Sequence, residues 1–378
     1  MAAVPDFTAL ANPAIRSLQA YDPGHDIPAL RVGFAERGGL LEMGSNENCY
    51  GFSHRVHAAL ASQLPLLHRY PDPAGKQLKS AIAAKHGIST DEIALGNGSH
   101  ELLMQLAQVF AGAQDEVLVS RYCFAVYPIA AKAVGARVVV AEALPVDADM
   151  PIGHDLSALA AGIGPNTKLV FFANSNNPTG TWFSSVDLDA FMAKVPPDVL
   201  VVADEAYIEY VTDPALVSAL AQRERYPNLI VSRTFSKAYG LAGLRAGYLV
   251  ADRSLVRLLE PVRESFNLNM MALAAAEAAL SDATHLQSVR ESNAMERAWL
   301  TDGFAELGLT ALPSQTNFLL VHFGTRAIAV EQALYDRGVI VRPMAGYGLA
   351  EYLRITVSTR AENQRLLDGI GEQHDNGR

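Results

Sequence analysis

The chain has 378 residues, half of them hydrophobic and 19% charged, with 30 basic against 40 acidic side chains for a formal charge of −10. Such a balance repays chain entropy by burial, which excludes a disordered tail or a collagen-like fibre, and the acidic sign without any Lys/Arg run excludes a face for nucleic-acid phosphates. Two cysteines, Cys49 and Cys123, are too few for a disulfide framework. Residues 1–16 lack the basic and apolar regions of a signal peptide, and no apolar run is long enough to span a bilayer. A cytoplasmic chain without membrane insertion or nucleic-acid partner is therefore expected.

From about residue 93, short apolar runs at 93–95, 117–120, 138–140, 169–173, 200–203, 229–232 and 247–250 alternate with helical stretches. Several are rich in Val, Ile and Leu without polar alternation, which predicts strands buried on both faces of a mostly parallel sheet flanked by helices, the α/β class. After Pro261 the texture changes. Alanine-rich helical sequence covers 270–306, and strands are predicted at 317–323, 339–342 and 352–357. We expect a large domain over 46–270, a smaller α+β C-terminal domain over 271–378, and residues 1–45 packing beside the latter.

Ligands of open α/β sheets bind outside the carboxyl ends of the strands, so polar clusters directly after apolar runs are candidate site residues. Such clusters are Gly96-Asn97-Gly98-Ser99-His100-Glu101, residues 120–127, Asn174-Ser175-Asn176-Asn177-Pro178-Thr179-Gly180, Asp204-Glu205-Ala206-Tyr207 and Arg233-Thr234-Phe235-Ser236-Lys237. The first begins like a dinucleotide fingerprint, but Glu101 replaces the third glycine and disfavours a nicotinamide cofactor. What remains is glycine and serine opening a helix, with Leu102, Leu103, Leu106, Val109 and Phe110 as its apolar stripe. That suits either a phosphate on free N–H groups or an ordinary turn with Ser99 as N-cap. No Gly-Lys-Ser/Thr loop occurs, and His54 and His57 lack a third ligand, so neither ATPase nor metal chemistry is indicated.

Taken singly, Asp204 to Tyr207 reads as a solvated loop and Lys237 as a surface lysine. Together, a lysine, a carboxylate, an asparagine and a phosphate-type helix start at four strand ends form the set that holds a phosphorylated pyridine aldehyde covalently.

On these residues the chain resembles the fold-type I pyridoxal phosphate aminotransferases, and within them the histidinol-phosphate aminotransferases, from about Ile15 to Arg360. The motifs carrying the resemblance begin with Arg16-Ser17-Leu18-Gln19-Ala20-Tyr21-Asp22-Pro23-Gly24, Ser45-Asn46-Glu47-Asn48 and Arg69-Tyr70-Pro71-Asp72. To these are added Gly96 to Glu101, Asn177-Pro178-Thr179-Gly180, Asp204 to Tyr207, Ser236-Lys237 with Leu241-Ala242-Gly243-Leu244-Arg245-Ala246-Gly247, and Leu353-Arg354-Ile355-Thr356-Val357. The resemblance implies pyridoxal 5′-phosphate as cofactor in the large domain. It implies that Lys237 joins the cofactor aldehyde and later moves the proton between Cα and the cofactor, and that Asp204 pairs with the ring N–H. Asn177 and Tyr207 would bond the ring hydroxyl, with Phe124 stacked on the ring. The phosphate would lie on the backbone of Ser99 and His100 and the side chains of Thr234, Ser236 and Arg245. Tyr70 would reach the phosphate of a neighbouring subunit, making a homodimer with a shared active site. Arg354 would receive the acidic group of the substrate, with Arg342, Tyr21 and Asn46 as further substrate contacts.

The implied activity is amino transfer between an amino donor, histidinol phosphate, and a 2-oxo acid acceptor, 2-oxoglutarate. An aminotransferase for aromatic or other amino acids, or a decarboxylase or oxidase using the same cofactor, stays open. A silent scaffold would be expected to have lost Lys237, Asp204 or Arg354. Three departures from the family pattern, Cys49-Tyr50-Gly51-Phe52-Ser53, His100 and Arg121-Tyr122-Cys123, are expected near the substrate side.

Overall fold

The computed structural model describes residues 6–16, 18–22, 24–35 and 39–375; Ser17 and Pro23 of the opening motif lie outside the described residues. In chain order the strands are β1 (Leu41–Glu42), β2 (Ile93–Gly96), β3 (Glu116–Ser120), β4 (Arg137–Ala141), β5 (Thr167–Ala173), β6 (Leu200–Asp204), β7 (Leu229–Thr234), β8 (Gly247–Val250), β9 (Thr310–Ala311), β10 (Phe318–His322), β11 (Val339–Ile340), β12 (Arg342–Pro343) and β13 (Tyr352–Thr356). Strands β2 to β8 form one seven-stranded sheet in the order β2-β8-β7-β6-β5-β3-β4. Only β8 runs against its neighbours.

Unbroken apolar runs mean that both faces of this sheet are covered. Side chains alternate between faces along a strand, so Phe172, Val201 and Val231 enter one apolar layer while Phe171, Val202 and Ile230 enter the other. The first layer is closed by the helices Lys76–His86 and Met270–Leu280, the second by Ser99–Phe110 and Val126–Ala133. Edge strand β4 is the exception, with much of its length partly exposed.

Beyond the long helices, β12-β13-β10-β9 form an antiparallel four-stranded sheet. It packs with the helices Ala283–Glu306, Ala327–Asp336 and Arg360–Asp375 around a third apolar cluster that takes in Leu41 and Met43. Strand β1 pairs in parallel with β11, and the Met43 carbonyl accepts from Thr356 N at 2.7 Å, which fastens the segment before the first motif to the C-terminal sheet.

Two sequence expectations are revised. The helical run 270–306 is two helices, because Asp282 caps the second by accepting from His285 N. The run 339–342 is divided between two sheets, with Pro343 on the outer strand of the four-stranded one, where no ladder N–H is required.

A buried ion pair sits where β6 and β7 deliver their functional residues. Arg233 donates from Nε to Glu205 at 2.8 Å, from Nη1 to Glu209 at 3.0 Å and from Nη2 to the Ser218 hydroxyl at 2.8 Å. Glu205 also accepts from Ala219 N at 2.6 Å and from the Ser218 hydroxyl at 2.8 Å. Thus the residue after Asp204 is locked to the residue before Thr234. We expect Arg233→Ala to lower the free energy of urea unfolding by about 3–5 kcal/mol, because two buried carboxylates lose their cation; an unchanged midpoint would show that Arg233 does not hold these strand ends.

Candidate active site

Carboxyl ends of the strands converge on a cavity of about 250 Å³ lined by Tyr21, Asn46, Ser99, His100, Phe124, Asn177, Asp204, Tyr207, Thr234, Ser236, Lys237, Arg245, Arg342 and Arg354. Every residue named as a site candidate from the sequence is there except Tyr70. That residue is 80% exposed, its ring stacked on Phe266 at 4.5 Å, and it lines a separate 660 Å³ groove with Leu66, Arg69 and Leu273.

One end of the cavity is an anion cradle. The helix Ser99–Phe110 starts without a side-chain cap; Gly98, at φ +84°, occupies the N-cap position and Ser99 the first helical position. Ser99 is therefore not the cap that the alternative reading required. The first N–H groups of such a helix have no intrahelical acceptor. A side chain on Gly98 would strike Arg245 Nη2 at 2.5 Å, and one on Gly247 would strike Ser99 N at 2.5 Å. Gly247 lies between Gly96 and Thr234 in the sheet, so β8 enters directly beneath the cradle. Glu101, in place of the third glycine, ties the loop by accepting from Asn97 N, Gln105 and Asn267. Arg245 donates to the Ser236 hydroxyl at 3.2 Å, and Thr234 Oγ1 accepts from Ser236 N at 3.1 Å. Burial, with Arg245 close by, holds the His100 imidazole below its ordinary value.

At the opposite wall, Lys237 Nζ donates to the carbonyls of Ser45 at 3.2 Å and Asn46 at 3.1 Å. Burial, reinforced by the Arg354 charge, pushes its amine down to about 8. Asn46 donates from Nδ2 to the Tyr207 hydroxyl at 3.0 Å, which leaves that hydroxyl its own proton to give. Burial pushes Tyr207 up to about 12, so the proton stays. On the floor, Asp204 accepts from the Tyr127 hydroxyl through Oδ2 at 2.9 Å, while buried Oδ1 has no partner.

Arg354 is buried without a carboxylate partner among the described residues. Its Nη1 donates to Asn177 Oδ1 at 2.6 Å and its Nη2 to the Gly44 carbonyl at 2.6 Å, and buried Nε has no acceptor. Arg342 reaches the rim, where Nη2 is held by the Asp22 carbonyl at 2.6 Å and carboxylate at 3.1 Å. Tyr21 sets its ring edge-on to Phe124 at 6.1 Å.

These residues fit the cofactor that the resemblance implies. An orphaned carboxylate oxygen calls for an N–H, the cradle kept open by two glycines calls for a phosphate, and a depressed buried amine is a ready partner for an aldehyde.

Of the three departures, only His100 lines the cavity. Loop 49–53 is drawn onto the turn after Lys237 instead, with Asn48 Nδ2 donating to Ala238 O at 2.9 Å and to Gly51 O at 3.1 Å, and Arg121 pairs outward with Glu142. Sequence reasoning missed the carbonyls of Gly44 and Ser45, which no side-chain pattern reports, and Tyr127. Tyr127 was legible in part, because it ends the polar cluster 120–127, where its N–H donates to the Phe124 carbonyl at 3.1 Å and the two rings meet edge-on.

Comparison with known proteins places this geometry in context. The profile of aminotransferase class I and II matches residues 39–370. A curated relative named histidinol-phosphate aminotransferase 2, from Pseudomonas aeruginosa, is 44% identical over 97% of this chain and 98% of its own. Another, histidinol-phosphate aminotransferase 1 from Mannheimia succiniciproducens, is 42% identical over 96% and 98%. The crystal structure of histidinol-phosphate aminotransferase from Sinorhizobium meliloti in complex with pyridoxal-5′-phosphate superimposes with a TM-score of 0.86, at 30% identity, covering 97% of this chain and 98% of that one.

Asp204 gives the site a measurable signature before any ligand binds. Burial lifts its carboxyl from the ordinary 3.8 to about 6, against the opposing Tyr127 bond. Between about pH 4 and 6 the unfolded chain gives up this proton before the folded one, so rising pH lowers stability across that window, by about 3 kcal/mol in total. Without cofactor, Asp204→Asn is expected to be more stable than the wild type in urea at pH 8 by that order, the two converging toward pH 4. Equal stability at pH 8 would mean that the carboxylate already has a partner.

Proposed function

The chain belongs to the aminotransferase class I and II family, and from that premise we propose that it transfers the amino group of histidinol phosphate to 2-oxoglutarate, giving L-glutamate. As a member of this family it is a pyridoxal phosphate-dependent transaminase. The observation that carries the proposal is Arg354, a buried guanidinium with an idle Nε and no carboxylate beside it. A buried cation without a counter-charge is costly unless an anion arrives, and a planar fork accepts phosphate and carboxylate alike. One such group therefore serves the phosphoester of the donor and the carboxylate of the acceptor in turn.

Lys237 would hold the cofactor's aldehyde carbon, Asp204 Oδ1 its ring N–H, and Tyr207 and Asn177 its ring hydroxyl, with Phe124 against the ring face. Ser99, His100, Thr234, Ser236 and Arg245 would hold its phosphate. Once bound, the cofactor supplies an electron sink for the pair left behind when the Cα–H bond of the donor breaks. The chain's own part is proton transfer and orientation. Freed by the donor amine, Lys237 Nζ would take the Cα proton and deliver it to the cofactor's aldehyde carbon, on the other side of the substrate nitrogen. Its depressed proton affinity leaves a useful fraction neutral near pH 8. Arg354, with Arg342, Tyr21 and Asn46, orients the substrate so that this proton faces the lysine.

We also assign the active unit as a cytoplasmic homodimer. Exposed Leu66 and Tyr70 line the 660 Å³ groove, and Leu64 and Leu67 are exposed beside Leu66 in the chain, an apolar surface that a second copy would cover while bringing Tyr70 to the neighbouring phosphate cradle. Two separate free cysteines, and no helix among the described residues long and apolar enough to cross a membrane, accord with that compartment.

The test is a panel of amino donors, including histidinol phosphate, offered to the cofactor-loaded protein with 2-oxoglutarate. Histidinol phosphate should give the highest kcat/KM, and a better aromatic or aliphatic donor would overturn the substrate. Lys237→Ala should abolish turnover while some cofactor still binds through its phosphate. For Arg354→Ala we expect kcat/KM for acidic substrates to fall by about 2–5 kcal/mol, roughly 30- to 5,000-fold. Unchanged kinetics would move the anion pocket elsewhere.

A further inference from the structure

Asp204 cannot fix its own orientation: a carboxylate with one idle oxygen turns about χ2 unless the other is held. We propose that Tyr127 is the positioning residue that holds Asp204, so that its free Oδ1 faces the cavity as an ionised acceptor. The inference rests on the reading of Asp204 as partner of the cofactor ring nitrogen.

Three observations converge on it. The Tyr127 hydroxyl, fully buried, donates to Asp204 Oδ2 at 2.9 Å. Asp204 Oδ1 is buried with no partner, in the wall of the cavity. The Tyr127 ring is itself gripped, stacked on Phe171 at 5.2 Å and 12° and set edge-on to Phe124 at 5.8 Å and 85°. A rigid donor on one oxygen therefore aims the other.

The groups facing Asp204 leave this work to Tyr127. Glu205 follows it on β6 and repels its charge. Tyr207, on the next turn, gives its hydroxyl to Asn46 as acceptor, and the Ala206 N–H and the Ser232 hydroxyl on β7 favour the charged carboxylate less than Tyr127 does. Burial and the neighbouring carboxylate keep the Tyr127 proton in place well beyond neutral pH, so its O–H is a permanent donor. A hydrogen bond to the charged form favours that form. Tyr127 thus opposes both burial and Glu205, and keeps Asp204 an acceptor where protonation would make it a competing donor toward the ring nitrogen. Through Phe124 it also links the acid on the floor to the ring expected to stack above it.

The test uses the full-length protein without cofactor, labelled with ¹³C at aspartate carboxyls, with the Asp204 signal identified by its loss in Asp204→Asn. Tyr127→Phe keeps the ring and removes the donor, and should raise the Asp204 titration midpoint by about one to two pH units. Phe171→Leu loosens the ring but keeps the hydroxyl, and should raise the midpoint by clearly less than Tyr127→Phe does. On the loaded protein, Tyr127→Phe should weaken pyridoxal phosphate retention at pH 7 by about two- to tenfold, since a midpoint raised by one to two units from about 6 leaves only about a half to a tenth of Asp204 ionised there. An unchanged or lowered midpoint in Tyr127→Phe, or an equal rise in Phe171→Leu, would overturn the proposal. A wild-type protein that takes up no pyridoxal phosphate would refute the reading beneath it, and the titration would still decide whether Tyr127 controls Asp204.

Discussion

One carboxylate oxygen without a partner, Oδ1 of Asp204, is the constraint around which the structure is arranged. Buried polar atoms are nearly always satisfied, and one that is not must be held open by its surroundings at a cost in stability. Asp204 ends the central strand β6, between β5 and β7, so two ladders define its backbone. On the far face the Glu205–Arg233 pair fixes the next residue, and Tyr127 meets the second carboxylate oxygen. Rigid elements thus hold an unsatisfied group in place, the usual condition for a preorganised site.

The same logic explains why the site needs both sheets. Arg354 lies on β13 of the four-stranded sheet, yet its Nη1 donates to Asn177, in the loop after β5 of the seven-stranded one. Asn46 sits between them with a left-handed backbone, φ +56°, a conformation asparagine tolerates better than most residues. Its N–H donates to Thr356, its side chain to Tyr207, and its carbonyl accepts from Lys237 and Asn317. A short segment fastened to the C-terminal sheet therefore carries the acceptors for the lysine of the large sheet. Substrate recognition and proton transfer share one set of hydrogen bonds, so displacing Lys237 alters contacts on both sides of the cleft.

How much of this was legible in the sequence follows from what each residue had to do. The strands were, because burial on both faces admits only unbroken apolar runs, and 93–95 through 247–250 all became strands. Site residues at strand ends were legible only as a set, because Asp204, Asn177 and Lys237 each follow an apolar run, and the fold brings those run ends to one cavity. Backbone acceptors were not: the carbonyls of Gly44, Ser45 and Asn46 carry no side-chain signal, and their direction depends on pairing with residues 191 to 310 positions away. Glu205 was misread for a related reason. A charged residue after a strand looks solvated until its partner is known, and Arg233 lies 28 positions on. The 49–53 loop likewise was expected near the substrate side, and tertiary hydrogen bonds carry it onto the turn after Lys237.

Charge distribution completes the argument. The chain carries ten more acidic than basic side chains, yet Lys237, Arg245, Arg342 and Arg354 line the cavity against a single lining acid, Asp204. Such a reversal is confined to the cleft, where low-polarity walls focus the field and raise the local concentration of small anions. A surface acidic overall repels nucleic acids and other polyanions too large to enter, while a phosphoester or dicarboxylate small enough to pass the rim meets the cavity's own cations. At the rim, Asp22 already occupies Arg342, so an incoming anion gains little there and most at the uncompensated Arg354 below. Selection of this kind is by size and charge before any group-specific contact is formed.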